Sequence, residues 1–205
     1  MAMPTPPAFP LVLRGTLDPH TSRWLFLVKW LLLTPHVVVL VLLSLAFAGS
    51  LAMSFFAILF TAKYPRGLFE FNVGVLRWWW RVSFYGYVAL GTDTYPPFSL
   101  ASDPSYPADL TVEFPPVLNR WLVLVKWLLA IPHILIVTIF SGGYGKYVGG
   151  LVGLLTVIAG FVNLFTGNYP ESIFNLVMGM NRRTYRVGAY TSLMTDRYPP
   201  FTLDP

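Results

Sequence analysis

Of the 205 residues in this chain, 55% are hydrophobic and only 11% are charged, whereas soluble domains carry about 25% charged residues. A mean hydropathy of +0.60 would demand a soluble core larger than this length can enclose, and points instead to lipid as the solvent of the apolar side chains. Cysteine is absent, which excludes disulfides, thiolate metal sites, iron–sulfur clusters and cysteine nucleophiles. The net charge is +5, but the basic residues lie beside apolar segments. Anionic lipid headgroups are therefore the expected counter-charge, and nucleic acid is not an expected partner.

The amino terminus, MAMPTPPAFP, lacks the basic-then-apolar order of a cleaved secretory signal and is expected to be retained. Short extended segments are expected at Leu11 to Thr16 and at Ala108 to Glu113. After the first of these, the chain begins to repeat itself. RWLFLVKWLLLTPH (Arg23 to His36) matches RWLVLVKWLLAIPH (Arg120 to His133) at 11 of 14 positions, with an offset of 97. FTAKYPRGLFEF (Phe60 to Phe71) matches FTGNYPESIFNL (Phe165 to Leu176) at 105, and DTYPPF (Asp93 to Phe98) matches DRYPPF (Asp196 to Phe201) at 103. The first repeat is assigned to residues 1–98, a linker to 99–116 and the second repeat to 117–205.

The change of offset places eight additional residues in the second copy, around SGGYGKYVGG, Ser141 to Gly150. A glycine cluster cannot continue a helix, so this point is a connection, and by homology the first copy is expected to turn near Ser44 to Ser50. The expectation is an all-α membrane protein, a duplicated helical hairpin with four transmembrane helices at about 24–43, 46–62, 121–140 and 151–166; the alternative makes Trp24 to Leu33 an interfacial helix and Val37 to Ala62 one longer span, with the two copies in opposite orientations. Apart from Lys146, Lys and Arg lie in the termini, the middle and the span ends on one side. The positive-inside rule then puts both termini in the cytoplasm.

The repeated VKWLL followed by PH, FT followed by YP, and the closing YPPF resemble the bacterial membrane-protein family of domain of unknown function 4389, in two tandem copies. The resemblance implies an integral protein of the bacterial plasma membrane. It brings no activity, substrate or catalytic residue.

His36 and His133 follow Pro35 and Pro132 and would lie about 18 Å into their spans at 1.5 Å per residue. An ionisable group at that depth is a functional candidate. They are expected to be neutral and structural, supporting the proline kinks; the rival reading has both ligate one haem or pigment in an electron-transfer subunit. Lys29 and Lys126 are expected to snorkel to the lipid headgroups, with Trp24, Trp30, Trp121 and Trp127 beside them. A third, amphipathic element repeats a polar face, Glu70, Gly74, Arg77 and Arg81 against Asn175, Gly179, Arg182 and Arg186. Those four arginines are expected to bind lipid phosphates from an interfacial helix. The YPPF tails are expected to dock Tyr95, Phe98, Tyr198 and Phe201 against the hairpins, and Asp103, Asp109 and Glu113 to be solvated.

Enzyme signatures such as GxSxG, HExxH and a Walker loop do not occur, and His20 is isolated. The expected function is a non-catalytic structural or accessory subunit of a larger membrane assembly, without a cofactor, contacting lipids and other subunits. The rivals are the haem-type subunit on His36 and His133 and a small transporter or channel acting as an oligomer.

Overall fold

The structure, a computed structural model, describes residues 9–19, 21–142 and 150–204. His20, Lys146 and most of the glycine-rich insertion lie outside these residues. The described chain is mostly helical: β1 (Leu11–Gly15), a short 3-10 turn (Leu25–Leu27), α1 (Lys29–Leu32), α2 (Thr34–Thr61), α3 (Arg66–Tyr85), β2 (Ala108–Val112), α4 (Leu122–Leu129), α5 (Ile131–Ser141), α6 (Gly150–Thr166) and α7 (Glu171–Thr191).

Both predicted extended segments form, and they pair with each other. β1 and β2 make an antiparallel ribbon with Leu13 opposite Leu110. These two leucines are also equivalent at the repeat offset of 97, so the pseudo-twofold relation between the copies passes through this pair. Alternation buries Leu11, Leu13, Ala108 and Leu110 on one face. Each strand packs on the long helix of the other copy, β2 on α3 and β1 on α7. The repeats are therefore interlocked rather than strung side by side.

The predicted turn near Ser44 to Ser50 is not there. α2 runs unbroken for 28 residues, and both serines donate to their own helix, Ser44 Oγ to the Leu40 carbonyl at 2.7 Å and Ser50 Oγ to that of Phe47 at 2.8 Å. A hydroxyl that bonds back to the preceding turn keeps a serine compatible with helix, and Gly49 sits in open space. The separate spans at 24–43 and 46–62 thus do not exist. The first copy breaks instead at Leu33, ahead of Pro35, and folds back at Ala62, whose φ of 59° ends α2. The hairpin of this repeat is α2 against α3.

In the second copy the insertion divides the counterpart of α2 into α5 and α6, both of which pack on α7 as α2 packs on α3. The facing ends, Gly142 and Gly150, are in contact: a Cβ on Gly150 would meet the Gly142 nitrogen at 2.1 Å. The extra residues fall between the ends of two helices, which is the least costly place for an insertion.

The elements stack in layers. One face of α3 carries Trp78, Val82 and Tyr85 against Leu33 and Leu40. Its other face carries Arg77 and Arg81 against the linker and β2. α3 and α7 meet through Trp80 on Tyr185 and Phe84 on Phe174. The outer layer of α1, α2, α4, α5 and α6 keeps an uncovered apolar surface, with Leu45 69%, Phe60 72% and Phe165 80% exposed. α2 is one helix long and apolar enough to cross a membrane; α4 and α5, bent by 47° at their junction, make a second if taken as one span.

Candidate functional site

Each repeat brings its VKWLL…PH segment and its DxYPPF segment together, although more than sixty residues separate them. In the first copy, Lys29 is 1% exposed. Its Nζ lies 3.0 Å from Asp93 Oδ1 and donates to the Thr92 carbonyl at 2.6 Å. The other carboxylate oxygen of Asp93 accepts the backbone N–H of Ser22. The second copy repeats this: Lys126, also 1% exposed, lies 2.7 Å from Asp196 Oδ1 and donates to the Thr195 carbonyl at 2.8 Å. The expected snorkelling of Lys29 and Lys126 to lipid is corrected here. Their stems run inward, because a half-buried carboxylate and a carbonyl together replace water at the ammonium. What sequence reasoning missed was Asp93 and Asp196, whose signal was their retention in both copies beside YPPF.

Four residues past each lysine the helix breaks, and the tail covers the break. Tyr95 donates its hydroxyl to the Leu32 carbonyl at 2.9 Å and Tyr198 to that of Leu129 at 3.2 Å. These carbonyls are left free by the break ahead of proline. His36 and His133 sit beneath, both fully buried. His36 stacks on Phe98 and His133 on Phe201, with centroids 3.9 and 4.2 Å apart. Docking of all four tail aromatics on the helices follows the sequence expectation. The expected mid-helix depth of the histidines does not, since both lie in the first turn after a break.

The two cages differ in one respect. Trp78 Nε1 donates to His36 Nδ1 at 3.0 Å, which fixes that ring as a neutral imidazole with its proton on Nε2. The residue equivalent to Trp78 is Arg183, which donates to the Phe201 carbonyl at 3.1 Å and lies over the Phe201 ring. His133 has no hydrogen bond at either nitrogen among the described residues. No caging residue is common to the two histidines, so the structure does not bring them to one shared site.

The arginine faces also turn inward. Arg77 lies 3.0 Å from Asp109 and donates to the carbonyls of Leu110 and Leu100 at 2.9 and 2.8 Å. Arg81 is fully buried and donates to the Ser99 and Ala101 carbonyls and, at 3.5 Å, to Asp109. Burial lowers the Arg81 pKa, with Asp109 opposing. Arg77 and Arg81 are thus not lipid ligands but clamps that hold the linker and β2 on α3. Asp109, expected in solvent, is the counter-ion of both. Gly74 makes room for this, since a Cβ there would meet Leu100 Cβ at 2.8 Å. Gly179 lies equally close under Leu203. Arg182 and Arg186 occupy the equivalent places on α7 and have no carboxylate partner within hydrogen-bond distance among the described residues.

No curated protein and no solved structure matches the chain. Residues 23–99 and 120–202 each match one family, and the segments so matched begin and end on the motifs that meet in the two aromatic cages. The chain belongs to the family described as a domain of unknown function, DUF4389, and carries two copies of it.

Proposed function

We propose that this protein is a non-catalytic structural or accessory subunit of the bacterial plasma membrane, bound to the bilayer through the outer layer of α1, α2, α4, α5 and α6 and to other subunits through the same surface. The observation that carries this reading is the one-sidedness of the layers. Over roughly 42 Å of helix at 1.5 Å per residue, the outward face of α2 presents Val38, Leu42, Leu45, Met53, Phe56 and Phe60. No ionisable side chain interrupts it. Only 17% of its most apolar window is buried within the molecule, whereas the core helix of a soluble protein would be mostly covered. Exposed Trp24, Trp30, Trp121 and Trp127 suit the headgroup level.

A four-crossing topology would need a turn inside α2. The α2–α3 return instead leaves β1, the linker and β2 on the side of the clamped arginines. We take that side as cytoplasmic. The Arg77 and Arg81 pairs with Asp109 and the ribbon lie on the face of α3 opposite the apolar layer, which favours α2 lying along the membrane rather than through it. A structural role is supported by the side chains best suited to chemistry. Lys29, Lys126, Arg77 and Arg81 are each held by a carboxylate and by at least one backbone carbonyl of the chain itself.

Nitroxide labels at Val38, Leu45, Met53 and Phe60 in vesicles test this. Similar oxygen accessibility and low accessibility to a water-soluble nickel complex at all four sites are expected. A depth that sweeps from one interface to the other would replace the in-plane reading with a spanning one, and water accessibility at all four would remove the membrane reading. Crosslinking from the same sites in native membranes reads the partner subunits; capture of lipid alone would count against the accessory role.

A further inference from the structure

The twofold relation between the copies is broken at one charged position. Asp109 of β2, held between Arg77 and Arg81, has Val12 of β1 as its counterpart at the repeat offset. Arg182 and Arg186, the counterparts of the two clamped arginines, therefore line a cavity of about 370 Å³ between β1 and α7 with Val12 where a carboxylate would be. Arg14 of β1 lines the same cavity, in the position of Thr111.

Three arginines thus line one space, and among the described residues no acidic side chain lines it. Arg186 is 7% exposed, lies over the Phe9 ring and buries an Nε without a hydrogen-bond partner. None of the three side chains donates a hydrogen bond among the described residues. Burial and the charge of Arg182 lower the Arg186 pKa; Asp204, near the end of the tail, is the carboxylate whose charge opposes this. A desolvated guanidinium without an acceptor is costly, and a bidentate oxyanion is the group that best relieves it.

We propose that the cavity between β1 and α7 is a binding site for a phosphate-bearing small anion, clamped by Arg182 and Arg186 as Asp109 is clamped by Arg77 and Arg81, with Arg14 meeting the second negative charge. The carboxylate in the first copy acts as a built-in stand-in for the ligand in the second. A bare carboxylate would neutralise one of three charges, whereas a phosphate monoester neutralises nearly two and leaves its organic part to fill the remaining volume. The site lies on the ribbon side, away from the apolar layer, so this proposal does not rest on the membrane reading.

The test is thermal unfolding and calorimetric titration of the full chain in uncharged detergent, with inorganic phosphate and glycerol phosphate as probes. Vesicles with and without phosphatidic acid form a separate arm. Saturable binding of glycerol phosphate is expected, weakened about tenfold or more by Arg182→Gln and by Arg186→Gln. Val12→Asp should supply the missing carboxylate, abolish binding and raise the melting temperature without ligand. Asp204→Asn should strengthen binding or leave it unchanged. Saturation by the soluble phosphates assigns the site to a soluble anion; saturation only by phosphatidic acid, still lost in Val12→Asp, assigns it to a lipid headgroup. Equal affinity in the wild type and Val12→Asp, or no saturable binding in any arm, overturns the proposal. Because Val12→Asp should leave the nitroxide depths on α2 unchanged, failure here is distinguishable from failure of the membrane reading.

Discussion

The imidazole of His36 lies flat on the ring of Phe98, with an interplanar angle of 12° and centroids 3.9 Å apart, while its edge accepts the indole proton of Trp78. The tail is thereby fixed to the break between α1 and α2 by stacking, and the break to α3 by a hydrogen bond. Trp78→Phe keeps the ring and removes the donor, so it should cost about 1 kcal/mol and release the tautomer of His36. Nitrogen chemical shifts of the imidazole would show the change. The equivalent Arg183→Gln should leave the His133 tautomer signals where they are, and equal shifts in both variants would count against the Trp78 assignment.

The double substitution of His36 and His133 to Gln retains a donor and an acceptor in each cage and should leave a folded, assembled protein with an unchanged absorption spectrum. Loss of a chromophore on that substitution would revive the shared-cofactor reading.

The buried ion pairs make an asymmetric prediction. Asp93→Asn leaves the Lys29 ammonium, 1% exposed, without its counter-charge and should cost about 3 kcal/mol. Lys29→Met leaves a partly exposed carboxylate that water can solvate, and should cost less than half as much. Melting temperatures of the two variants and of the double variant in detergent decide it; a larger loss for Lys29→Met would mean that the lysine stem, not the pair, is what matters.

Glycine inside a helix is worth about 1 kcal/mol less than alanine, so propensity alone makes Gly74→Ala stabilising. The close approach of Leu100 reverses the sign: the added methyl must push the linker off α3 and loosen the Arg77 and Arg81 clamp. We expect a loss of about 1–2 kcal/mol for Gly74→Ala and a similar one for Gly179→Ala under Leu203, read by chemical denaturation. Gly49→Ala, which meets nothing within 4 Å, is the control and should stabilise.

Removal of residues 142–149 would join α5 directly to α6, restoring the length of α2. The shortened chain should fold with the second copy resembling the first, with a small gain in helicity by circular dichroism. Failure to fold would show that α5 and α6 cannot continue into one helix.

What the sequence determined by itself was whatever repeats or is local. The duplication, the two strands, a distortion at Pro35 and Pro132, expected as a kink and found as a break, and the docking of Tyr95, Phe98, Tyr198 and Phe201 all follow from motif spacing and from the conformational limits of proline. The position of the hairpin did not follow. Eight inserted residues in one copy cannot reveal whether the other copy turns or continues, and Ser44 to Ser50 forms helix because its hydroxyls bond back to its own carbonyls. Nor could charge placement be read. A lysine or arginine next to an apolar run is equally compatible with lipid phosphates and with a buried carboxylate, and only the tertiary structure brings Asp93 to Lys29, Asp196 to Lys126 and Asp109 to Arg77 and Arg81. The antiparallel ribbon, which carries Asp109 across to the other repeat and Val12 to its counterpart's place, decided which arginines are neutralised within the chain and which are left to meet a ligand.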